Sequence, residues 1–198
     1  MNARGSRFNR NLLIILVITY LLSIAIFSYL NWASDPAFMV WWKTLLNIPI
    51  ISIPLVLLFG SIYVLALAYR QHTNQGMVTL RLAKILRTAP RLAAILIIFF
   101  ISLFSLDIFE MQATPLELLG AFLIHNIPSI VLIALLSVAW KRPVVGFVSF
   151  LAAAILFTVF FVRDLSALPN LLFFVLPILM VAALFYADWQ WLTPKNNC

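Results

Sequence analysis

The sequence predicts an all-α polytopic membrane protein with six transmembrane helices and both termini cytoplasmic. Three observations predict it. Charged residues make up only 10% of the chain, where a soluble domain carries about a quarter. The mean hydropathy is +1.10, and the apolar residues gather in six runs near the roughly 20 residues that cross a hydrocarbon core. Of the 13 Lys and Arg residues, only Lys43 and Arg163 fall on the outer side once six spans are drawn, as the positive-inside rule requires.

The first span, 11–30, follows Arg4, Arg7 and Arg10. It exceeds the 7 to 15 or so residues of a signal-peptide core, and Asn31 stands where a cleavage near Ala33 needs a small residue. It is expected to stay as an anchor. The segment Asn31 to Lys43, with Asp35-Pro36 and Phe38-Met39-Val40-Trp41-Trp42, is too apolar for a free loop and is expected in the outer interface. The second span, 46–69, contains Pro49 and Pro54.

A polar run, His72 to Gly76, opens the longest inner loop, and Gly76 divides the chain into an N-terminal hairpin, 1–75, and a four-helix unit, 76–198. In Met77 to Arg91 the bases Arg81, Lys84, Arg87 and Arg91 recur at three and four, opposite Val78, Leu82, Ile85, Leu86 and Ala89. This reads as an amphipathic segment on the inner leaflet, its four bases contacting anionic lipid.

The remaining spans are 91–109, 117–139, 144–162 and 168–187. Pro54, Pro128 and Pro177 each remove one helical N–H, which frees the carbonyls of Ile50, Ile124 and Phe173 and predicts kinks. The fifth span carries Gly146, Ser149, Ala152 and Ala153, a small-residue face suited to close helix packing within the chain or against a second copy.

The acids Asp35, Asp107, Glu110, Glu117 and Asp164 fall outside and only Asp188 inside. Trp32, Trp41 and Trp42 mark one boundary and Trp140, Trp189 and Trp191 the other. The +7 net charge thus reads as topology rather than nucleic-acid affinity. The lone cysteine, Cys198, forbids an internal disulfide and is not at a prenylation position.

Chemistry is sparse. There is no phosphate loop, no metal-ligand spacing and no nucleophile–base pattern, so no cofactor is expected. Polar groups at depth are costly and mark bundle interiors or cavities, which singles out His125 and Asn126 in Leu123-Ile124-His125-Asn126-Ile127-Pro128. Asp107, at the outer end of the third span with Ser102 and Ser105, reaches a neighbouring depth, and Arg163 ends the fifth span on that side. Asp107, His125, Asn126 and Arg163 form a candidate polar cluster in the outer half. It reads either as a tie fixing helix register or as a proton relay or small polar pocket.

The stretch from Leu82 to Phe161, through Leu106-Asp107-Ile108-Phe109, His125-Asn126-Ile127-Pro128 and Trp140-Lys141-Arg142-Pro143 with Gly146, resembles a family of small prokaryotic four-helix membrane proteins classed as a domain of unknown function. The resemblance implies an uncharacterised inner-membrane protein, with Asp107, His125, Pro128, Trp140 and Lys141 at the matching positions. Asn126 and Val145-Gly146 depart from the pattern.

Two functions are weighed. One is a non-enzymatic structural or accessory protein of the plasma membrane, acting through a membrane protein partner or a second copy. The other is a small transporter or channel built on the outer-half cluster. The absence of an internal repeat between the two halves counts against the second.

Overall fold

The computed structural model describes residues 3–34, 41–110, 112–161 and 171–192. Among these are seven α-helices: α1 Ala3–Ser34, α2 Trp41–Gln75, α3 Leu80–Leu103, α4 Pro115–His125, α5 Ile127–Ala139, α6 Pro143–Phe161 and α7 Leu176–Leu192. A 3-10 turn, Phe104–Glu110, continues α3, and a π turn, Leu171–Val175, leads into α7. Five helices are long and apolar enough to cross a membrane, and the bent pair α4–α5 passes the same test taken together.

The core joins α3, α7, α6, α5 and α2. Phe100, Ile97, Phe150, Phe185, Ile178 and Leu132 are all but inaccessible there. Lipid is as apolar as a leucine side chain, so fit rather than hydrophobic burial holds such helices together. The closest fit is between α6 and α7. A Cβ added to Gly146 would stand 2.6–2.9 Å from ring carbons of Phe185, and that ring stacks on Phe150 at 5.7 Å. At Gly146 the neighbour of the small-residue face therefore lies in the same chain, whereas Ala152 is exposed.

α1 is peripheral and contributes no buried residue among its described side chains, yet it is tied to the bundle along its length. Arg70 donates to Asn9 at 3.2 Å and lies 4.2 Å over the Phe8 ring. Further along, Tyr20 meets Phe59 and Phe27 meets Phe173. α2 is different, because Leu57 and Ala68 sit in the common core.

Four expectations change. First, Leu80 to Arg91 is not a separate surface helix but the first part of α3, colinear with the span. Its apolar stripe, Leu82 and Leu86, is buried in the core instead of facing lipid headgroups. Pro90 fits inside the helix, itself buried. Second, α2 runs past residue 69 to Gln75, so the polar run up to Gln75 is helical. Gly76 then ends it with φ of +68° and its N–H on the His72 carbonyl, the left-handed stop that glycine adopts without a Cβ penalty.

Third, α2 continues unbroken through Pro49 and Pro54. Fourth, the third span leaves α geometry at Leu103. Ser102 and Ser105 each donate to the carbonyl three residues back, at 2.7 and 2.6 Å, a spacing that suits the tighter 3-10 turn. The kink at Pro128 is present as a 45° bend between α4 and α5. Before Pro177 the chain widens into the π turn, which includes Phe173, whose carbonyl the proline leaves without its usual N–H.

Candidate functional site

Two constellations carry the polar chemistry of the bundle. The first lies where α3, α5 and α7 meet. Arg91 donates from Nη1 to Asp188 Oδ2 at 3.2 Å. Its Nε and Nη2 both donate to the Trp140 carbonyl, at 3.2 and 2.9 Å, and Nη1 also donates to the Arg87 carbonyl one turn back. The guanidinium lies 6.0 Å from both the Trp140 and Phe185 rings.

Trp140 caps the end of α5, where the last carbonyls lack helical partners. Arg91 thus neutralises a buried carboxylate, 3% exposed, and serves one of those carbonyls. Arg91 is accordingly no lipid contact: its charge is committed inside the bundle. Arg81, Lys84 and Arg87 remain exposed. The sequence held one signal for this pair, since Asp188 was the single acid assigned to the basic side.

Close by, His72 stacks on Trp191 at 5.6 Å, and its Nδ1 is buried without a partner among the described residues. Together with the Arg70–Asn9 bond these contacts place the N-termini of α1, α3 and α6 and the C-termini of α2, α5 and α7 at one end. All described Lys and Arg side chains lie in those end segments.

The second constellation is the break at Asn126. α4 opens with a capping box: Glu117 Oε2 accepts from Thr114 N and Oγ1 at 2.9 and 2.7 Å, and Pro115 occupies the first turn. The helix then runs eleven residues to His125. His125 Nδ1 bonds the Ala121 carbonyl at 3.0 Å. A carbonyl only accepts, so Nδ1 carries the proton. Asn126 Nδ2 donates to the Phe122 carbonyl at 2.9 Å. The two predicted polar groups therefore bond their own helix, and the His125 ring is exposed on the bundle surface.

Asp107 lies in the 3-10 turn, its side chain outside the described ones, and Arg163 lies outside the described residues. Of the small face on α6, Gly146 and Ala153 are buried and Ser149 is partly so.

Between α3 and the bent pair runs a groove of about 690 Å³. Asn126 and Ser129 line it beside Phe99, Ile133 and Trp140. Ser129, 3% exposed, has no partner for its hydroxyl among the described residues. Sequence reading missed Ser129, which looks like one more small residue after a proline.

Long apolar helices, an exposed apolar exterior and charge confined to end segments define a helical membrane protein. The chain belongs to the family described as a domain of unknown function, DUF7670, whose model matches residues 79–198, from the turn after Gly76 through α7 to the C-terminal segment. No curated protein and no solved structure matches the chain.

Proposed function

We propose that this is a multi-pass protein of the inner (plasma) membrane, with six spans and both termini cytoplasmic. It acts as a non-enzymatic structural or accessory component through contacts with a membrane protein partner or a second copy of itself. One observation carries this reading: apart from Ser129, most of the polar side chains described within the spans are used up locally. Thr19, Ser23, Ser102, His125, Asn126, Ser137 and Thr158 all bond carbonyls of their own helices, and Arg91 ties three helices together through Asp188 and the Trp140 carbonyl. Such groups supply no continuous polar track, which a permeation path or hydrolytic site needs.

The test is extraction with native lipid in polymer discs, followed by native mass spectrometry. A stoichiometric protein partner, or a dimer of this chain, supports the reading. A monomer that carries no protein contradicts it.

A second reading, a small transporter or channel around Asp107 and His125, draws on the helix break at Asn126 beside the unpartnered Ser129 hydroxyl. Broken helices and polar groups near the midplane are the pattern of transporter sites. Loss of a cellular phenotype in both Asp107→Asn and His125→Gln, at normal folded yield, supports it. Wild-type behaviour in both removes it.

A further inference from the structure

We propose that the groove between α3 and the bent pair α4–α5 is a binding site for one acyl chain of an anionic phospholipid, whose headgroup rests on the basic residues at the groove's Trp140 end. This goes beyond the accessory reading and holds whether or not a protein partner exists.

Shape comes first. The groove holds about 690 Å³, inside the range of about 300–1,000 Å³ typical of small-molecule sites. Its lining is apolar apart from Asn126 and a few serines. From Ser129 to Trp140 the slot follows eleven residues of helix, or about 16 Å at 1.5 Å per residue. That is close to half of the roughly 30 Å hydrocarbon core, the depth of one leaflet and hence of one acyl chain.

Charge then selects the headgroup. On α3 the groove residues Ser102, Ile98 and Ile95 recur at four and three, and the same stepping continues through Arg91, Thr88 and Lys84. The face that lines the slot therefore becomes basic just past its mouth. Arg91 fixes the mouth by holding the Trp140 carbonyl, and its charge is spent on Asp188. Lys141 and Arg142 follow Trp140 directly, Arg87 lies one turn and Lys84 two turns beyond Arg91 on α3, and all four are exposed. No acidic side chain is described in that neighbourhood other than Asp188, so an anionic headgroup meets an uncompensated positive rim, whereas a zwitterionic one gains less.

The test uses the full chain in nanodiscs of phosphatidylcholine containing a minor share of phosphatidylglycerol, read by native mass spectrometry. The wild type is expected to retain one phosphatidylglycerol in preference to phosphatidylcholine. Replacing three bases together, Lys84→Gln, Lys141→Gln and Arg142→Gln, should cut that preference roughly a hundred-fold. Filling the slot with Ile133→Trp should abolish retention of either lipid while elution and helicity stay unchanged.

No preference in the wild type, or wild-type retention in Ile133→Trp, overturns the site. A full preference in the triple variant overturns the headgroup assignment. Should Ile133→Trp fail to fold, tail-brominated phosphatidylglycerol replaces it as the probe. Its quenching of tryptophan emission should be stronger in the wild type than in Trp140→Phe, and equal quenching overturns the proposal.

Discussion

Arg91 and Asp188 stand 97 residues apart in the chain and 3.2 Å apart in the fold. The carboxylate is 3% exposed and the guanidinium 15%, so each charge depends on the other. Removing one partner of a buried pair leaves an unpaired buried charge and costs about 3–5 kcal/mol, whereas an apolar pair of similar volume is often neutral. Asp188→Ala should therefore lower the thermal unfolding midpoint in detergent well below wild type. The double variant Arg91→Met with Asp188→Leu should recover most of the loss. A double variant as unstable as the sum of its singles would show that the two residues do not act as a pair.

Gly146 and Phe185 set the approach of α6 to α7. Because a methyl group at Gly146 would enter the Phe185 ring, Gly146→Ala should destabilise by about 1–3 kcal/mol, the usual cost of overpacking. Nothing lies within 4 Å of a Cβ added at Gly60 or Gly120. Alanine at either should be neutral or stabilising, as helix propensity alone dictates. Unfolding midpoints of the three variants, measured side by side, decide this.

Ser129 is buried, and its hydroxyl has no partner among the described residues. An unmet buried polar group costs about 1–3 kcal/mol, so Ser129→Ala should hold or raise the unfolding midpoint. A clear loss of stability would mean that the hydroxyl has a partner in the membrane.

The long apolar helices could be read from sequence because continuous apolar runs are a signal that needs no tertiary information. Gly76 stood out locally as a break, but the helix that it ends was expected to stop at 69, because the polar run before it has the composition of a loop. The part from Leu80 to Arg91 was not legible, because the same alternation of bases and leucines serves a helix on a membrane surface and one whose leucines pack on α2 and α7. The burial of Leu82 and Leu86 in the core distinguishes them. Pro90, of a residue type that ends most soluble helices, is carried within α3.

The site was less legible. His125 and Asn126 stand out as polar letters in an apolar run, but nothing local shows that both turn back to their own helix. The Arg91–Asp188–Trp140 knot depends on three helices meeting, which no periodicity reports. Ser129 becomes notable only once its surroundings show that nothing answers its hydroxyl.

The most direct test of the account is which side of the membrane holds the end where Arg91, Lys141 and the Gly76 turn lie. With the only cysteine, Cys198, replaced by serine, single cysteines are introduced at Asn74 and at Ala113, and intact cells are treated with a membrane-impermeant maleimide. Labelling is expected at 113, with protection at 74 until the cells are opened. Labelling at 74 in intact cells, or both positions on one side, would contradict the account.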